Sequence, residues 1–202
     1  LGRPVRIAYF GDSFVENDIM AADLRELFQS EFGGHGVGWV DLANPINRNS
    51  RRTVTQETSG TREFSVVKKP FDRSRQGIGE RYYNVSSGAS VTTNLATIYN
   101  RFQPHAKQFD VARLFFRAEN GATITATVGA GTPQSRSFDG SSGVQMYELK
   151  AKGSKINYKF SNVGEGFTGF GMALESLQGV ILDCMSVRGS SGLTLQSIPQ
   201  ST

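Results

Sequence analysis

The sequence predicts a mixed architecture: a β-sandwich of jelly-roll type inserted into the first βαβ unit of an α/β fold. Three observations predict it. A short apolar segment near the N-terminus runs through a glycine turn into a helical stripe. Alternating periodicity then replaces helical periodicity from about residue 61 to 176. A second apolar strand candidate appears only at Gly179–Val187. The implied organisation is residues 1–60 for the first strand and helix, 61–176 for the insert, and 177–202 for the second core strand with the loop after it.

Val5–Phe10 is apolar apart from Arg6, as a strand buried in a parallel sheet would be. Gly11-Asp12-Ser13 forms a tight turn. A helix follows from about Asp18 to Phe32, with Met20, Leu24, Leu27, Phe28 and Phe32 as one apolar stripe. Asp18 suits its N-cap and Gly33-Gly34 its stop. In the middle segment Ile124, Ala126 and Val128 alternate with Thr123, Thr125 and Thr127, and Ile156, Tyr158 and Phe160 repeat the pattern. Asn120-Gly121, Asp139-Gly140 and Lys152-Gly153 are turn signals at the spacing of a strand meander. An insertion of this kind is tolerated when the insert's ends lie close together. Two strands cannot bury an α/β sheet, so further polypeptide after Thr202, or a partner, is expected to complete it.

With 14 Phe and 6 Tyr the chain is not disordered. No apolar run reaches the roughly 20 residues of a membrane span. No export signal precedes Leu1, so one has been removed or never existed. The net charge of +4 is that of a basic surface; Arg48, Arg51 and Arg52 sit in a loop without interleaved aromatics, which argues against a nucleic-acid partner. Cys184 is the single cysteine, so neither an internal disulfide nor a cysteine zinc site can form. Gly33-Gly-His-Gly-Val-Gly38 follows a helix rather than a strand and lacks the lysine of a phosphate loop. Asp18, Asp23, Glu26 and Glu31 fall on the helix without metal-ligand spacing. Trp39, Tyr82, Tyr83, Tyr99, Phe102 and Tyr147 could stack on sugars, but such aromatics belong to the core more often than not.

A serine between a strand and a helix is placed to attack, with amides at the helix start available to an oxyanion. Gly-Asp-Ser can equally be a plain turn into a helix. Its context is more specific. Ile7-Ala-Tyr-Phe-Gly-Asp-Ser-Phe-Val-Glu-Asn-Asp18, with Leu24-Arg-Glu-Leu-Phe-Gln29 and Phe32-Gly-Gly-His-Gly-Val-Gly-Trp-Val40, resembles the first conserved block of SGNH (GDSL-type) hydrolases. The secreted bacterial branch that carries an inserted β domain is the most similar. Gly179–Val187 followed by Arg188-Gly-Ser-Ser-Gly192 resembles the second block of that branch. The resemblance covers about the first 45 and the last 25 residues.

It implies a three-layer, flavodoxin-like α/β fold that is incomplete in this chain. It also implies Ser13 as nucleophile, with the Gly189 amide, beside that of Ser13, holding the oxyanion; by itself Gly189 can also be an ordinary loop glycine. The substrate implied is an O-acylated, especially O-acetylated, carbohydrate or another small ester, met in a secreted, periplasmic or cell-surface setting without metal or organic cofactor. The family's third-block asparagine and late Asp-x-x-His are absent here. Neither His35 nor His105 has an aspartate three residues before it. The base is therefore expected outside these residues, and the chain alone is expected to be inactive. The alternative is a carbohydrate-binding β-sandwich on a degenerate or split hydrolase scaffold. Parallel packing of the two core strands would bring Ser13 and Gly189 to one edge.

Overall fold

The computed structural model describes residues 3–95, 97 and 101–200, apart from the side chains of residues 48 and 49. Tyr99 and Thr202 therefore lie outside it, as does the Arg48 side chain. In chain order the elements are β1 (Val5–Gly11), α1 (Ile19–Phe32), β2 (Gly36–Asp41), α2 (Ile46–Asn49), β3 (Thr55–Ser65), β4 (Arg81–Asn94), β5 (Phe109–Arg117), β6 (Ala122–Val128), β7 (Gln134–Phe138), β8 (Gln145–Gly153), β9 (Lys155–Ser161), β10 (Thr168–Glu175) and β11 (Val180–Ser186).

Two sheets result. β1 and β11 pair in parallel, from Val5 opposite Val180 to Gly11 opposite Ser186. The other strands form one antiparallel sheet in the order β7-β6-β9-β4-β10-β5-β8, with β3 on β4 and β2 on β10. The sheet curls into a β-sandwich-like pair of layers because β4 is long enough to pair with β9 at one end and β10 at the other. Between the layers lie Val91, Ile124, Ile156, Tyr158 and Phe160, facing Leu114, Phe116, Leu149 and Met172. The inward-facing members of the alternating segments are thus core. Trp39, Tyr82, Tyr83 and Tyr147 are buried as well, whereas Phe102 is exposed with Arg101 over its ring.

The antiparallel sheet starts earlier than the periodicity suggested. The expected limit at residues 60 and 61 falls inside β3, and β2 lies further upstream. Glycine density disguised β2 as a loop. Gly36 passes so close to β10 that a Cβ would sit 2.4 Å from the Leu174 carbonyl oxygen, and one on Gly38 would sit 2.3 Å from Asp183 Oδ1. These glycines therefore permit close backbone approach within a strand.

Helix α1 lies on β11, but not through its large apolar residues. Ala21, Ala22, Arg25 and Gln29 are its buried positions, while Met20, Leu24, Leu27 and Phe32 are exposed and Phe28 is half-buried. The small alanines allow a close approach. Arg25 Nε then donates to the Leu182 carbonyl at 2.8 Å, and Gln29 Nε2 to the Val180 and Gly36 carbonyls. β1 is likewise not the fully buried strand its composition suggested. Val5 and Phe10 are exposed, because β11 is its one strand neighbour among the described residues and α1 sits over β11.

Asp18 does not cap α1 with its side chain. Its backbone is left-handed at φ 62°, and its buried carboxylate takes both Arg25 Nη atoms at 2.9 Å. The same carboxylate accepts from Thr53 and lies 3.7 Å from Arg51. Desolvation pushes this carboxyl's pKa up, but the charges of Arg25 and Arg51 and the hydrogen bonds from Arg25 and Thr53 outweigh it and hold the acid well below the usual range. Arg51 is thereby turned inward and buried.

Cys184 packs beneath α1 with Val15, Ala21 and Leu182, where burial, with Asp18 adding to it, pushes the thiol up to about 12. At pH 8 a disulfide reagent should label the native thiol at least about a hundredfold more slowly than the urea-unfolded one. Comparable rates in the two states would contradict the burial.

Polar bridges join the sheets. Arg6 reaches Asp183 at 2.6 Å and also contacts Glu175. Asp183 Oδ1 accepts from the Trp39 amide at 2.8 Å. Arg81 holds Asp41 and Glu63 at 2.9 Å and donates to the Ser186 carbonyl at 2.8 Å, where β11 ends.

Candidate active site

Ser13 stands two residues past the end of β1, in a turn built by its neighbours. The Asp12 carbonyl accepts from the Val15 and Glu16 amides at 3.2 and 3.1 Å, and Asp12 Oδ1 accepts from the Phe14 amide at 3.0 Å. Gly11 is required by the fold-back, since a Cβ there would lie 2.2 Å from a Val15 methyl. The turn leaves Ser13 exposed, and no described side chain bonds to its hydroxyl. α1 does not start at Ser13. Asn17 and Asp18 are both left-handed, at φ 68° and 62°, so the helix begins only at Ile19. The Asp18–Arg25 pair sits at that break, so the first turn of the helix is set back from Ser13.

Gly189 stands three residues past the end of β11. The Val187 carbonyl accepts from the Ser190 amide at 2.9 Å, and Gly189 has φ 80°. This is a β-turn with glycine at its third position, a place that favours glycine because φ is positive. The turn leaves the exposed Gly189 amide without an acceptor among the described residues. The Val187 amide in turn donates to the Gly11 carbonyl at 3.1 Å. The parallel register therefore sends both turns off the same end of the strand pair.

A cavity of about 370 Å³ lies between them. Gly11 and Asp12 line it from the serine turn, Ser190, Ser191 and Gly192 from the glycine turn, and Glu80 from the segment before β4. One ion pair joins the two turns: Arg188 Nε and Nη2 both contact Glu16 Oε2 at 2.6 Å, and Glu16 is buried. No local sequence signal marks Glu16 or Glu80, whose partners lie far away along the chain.

Neither histidine serves Ser13. His35 Nε2 lies 3.1 Å from Asp110, next to Gly33 and Gly34. The Gly33 carbonyl accepts from the Val180 amide at the start of β11, the opposite end of the strand pair. Ser176 sits beside His35, but its hydroxyl donates to the Gln178 carbonyl at 2.6 Å and accepts from the His35 amide at 3.1 Å, so imidazole does not activate it. His105 Nδ1 is 2.7 Å from Glu26 on α1.

No family model matches the chain, and no curated protein matches it. Among solved structures it is similar to a peptidoglycan O-acetylesterase at 21% identity and TM-score 0.70, over 98% of this chain and 51% of that one. The likeness is one of fold, and this chain spans about half the length of that relative. It also matches a carbohydrate-binding module of Cellvibrio mixtus lichenase 5A in complex with cellotriose, at 12% identity and TM-score 0.35, over 58% of this chain and 87% of that one. A family two carbohydrate esterase from Cellvibrio japonicus matches at 12% identity and TM-score 0.33, over 60% and 34%.

Proposed function

We propose that this chain supplies the nucleophile and oxyanion turn of an SGNH-type serine esterase that removes acetyl groups from an O-acetylated carbohydrate outside the cytoplasm. The register of β1 against β11 carries the reading. With Gly11 opposite Ser186, an exposed serine hydroxyl and an unpaired glycine amide leave one end of the sheet together. Ser13 Oγ adds to the acyl carbonyl, and the Gly189 and Ser13 amides take the oxyanion. The tetrahedral adduct collapses with release of the sugar hydroxyl, which leaves with a proton, and water then hydrolyses the acyl-serine. The proton removed from Ser13 needs a base. Polypeptide outside residues 1–202 supplies it, together with strands and helices that extend the three-layer α/β domain over β1 and the exposed face of α1. A peptidoglycan or similar cell-wall glycan is the substrate class that fits both the sequence resemblance and the neighbouring fold.

Acetate release from an O-acetylated glycan tests this. The complete polypeptide should release acetate, and residues 1–202 alone should do so at least about a hundredfold more slowly, the usual minimum worth of a general base. Glycan binding with no release by either would favour the pure binding module. Full-rate release by residues 1–202 would place the base within them.

A further inference from the structure

The turn that carries Gly189 is gripped from the β-sandwich as well as from the serine turn. Glu80 Oε1 accepts from Ser190 Oγ at 2.8 Å and from Thr194 Oγ1, and Gln76 Nε2 donates to the Thr194 carbonyl at 2.9 Å. Glu80 is 5% exposed, and no cation pairs with its carboxylate among the described residues. The two hydroxyls are therefore its donors, and a buried carboxylate satisfied this way fixes both of them.

The backbone of Glu80 adds a second observation. Its φ is 54°, its amide donates to the Gly77 carbonyl at 3.0 Å, and its own carbonyl accepts from the Val66 amide at 3.1 Å. Glycine would adopt this conformation freely, whereas glutamate is strained in it. Glutamate bears that strain here while its carboxylate accepts from Ser190 and Thr194, contacts a glycine would lack. Glu80 also lines the cavity together with Gly11, Asp12 and Ser190.

We infer that Glu80 is a positioning residue for the proposed esterase: from the β-sandwich it holds Ser190 and Thr194, and through them the amide of Gly189, in register with Ser13. The inserted sandwich is then a structural member of the active site and not an appended binding module. The inference rests on the esterase reading.

The test uses the complete polypeptide with 4-nitrophenyl acetate as substrate and three variants, each with amide hydrogen exchange measured at Gly189–Leu195. Glu80→Gly keeps the left-handed backbone and removes the carboxylate. Amide exchange in that segment should accelerate at least tenfold. kcat should fall on the order of ten- to a hundredfold with KM within about twofold, as expected when a catalytic donor is misplaced by less than about 1 Å. Glu80→Gln keeps an acceptor oxygen for the hydroxyls and should recover most of the lost kcat. Ser13→Ala should abolish hydrolysis with exchange unchanged.

Unchanged kcat in a folded Glu80→Gly, with Ser13→Ala inactive, overturns the role of Glu80 and leaves the esterase reading standing. So does a Glu80→Gln variant as impaired as Glu80→Gly. Hydrolysis that survives Ser13→Ala, or is absent from the parent protein, overturns the esterase reading and the role of Glu80 with it, whatever the exchange shows.

Discussion

Ser13→Ala should lower turnover of an acetyl ester by at least about three orders of magnitude in the complete enzyme, with no measurable loss of stability. The size follows from the chemistry. Removing a nucleophile that acts through a covalent intermediate leaves only what binding and oxyanion donors contribute. The absence of a stability cost follows from the structure. The hydroxyl is exposed and has no side-chain partner, and its turn is held by Asp12, Gly11 and Val15 instead. Surface substitutions of this kind stay within about 0.5 kcal/mol. Paired kinetics and thermal melts check both halves. A variant that keeps even a tenth of parental turnover would make Ser13 an ordinary turn residue and end the proposed mechanism.

The largest effect on folding should come from Asp18→Ala. It leaves the Arg25 guanidinium, 1% exposed, without its direct ion-pair partner, and removing one partner of a buried pair costs about 3–5 kcal/mol. That is a large share of a typical domain's stability. pH provides a second readout. The folded acid titrates below its unfolded value of about 4, so its contribution is fully present above that value and fades as pH falls below it. Urea melts of the parent should therefore lose stability from about pH 4 downward, with a shallower loss in Asp18→Ala. Equal slopes, or a cost under about 1 kcal/mol at pH 7, would show that the pair is not what holds the start of α1.

The serine turn and the late strand were legible in the sequence because each is a local signal: apolar residues running into glycine. The same local logic misled at α1. Large apolar residues at helical spacing read as the buried stripe, yet the face on β11 is Ala21, Ala22, Arg25 and Gln29, two of them polar groups that bond to strand carbonyls. Hydrophobicity cannot reveal that an arginine is buried when its partner, Asp18, looks like a helix cap. β2 was hidden for a related reason: Gly36 and Gly38 signal loops locally, and their need for close approach is visible only once β10 and Asp183 are beside them. Glu80 was not legible at all. It meets Ser190 and Thr194 from more than a hundred positions away, and nothing in Gly79-Glu-Arg81 marks it; only its left-handed backbone, a property of the fold, sets it apart.

The pairing of β1 with β11 also bears on the order in which the molecule assembles. In an unfolded chain, bringing Val5 to Val180 closes a very long loop, and contacts of that kind form slowly. The antiparallel sheet changes the problem. Once β2 lies on β10, Gly36 is opposite Glu175, and the segments leading to β1 and β11 emerge side by side. The remaining search spans only α1 and its turns on one side and a few residues on the other. The sandwich thus converts a distant encounter into a nearly local one at the strand pair whose ends carry Ser13 and Gly189.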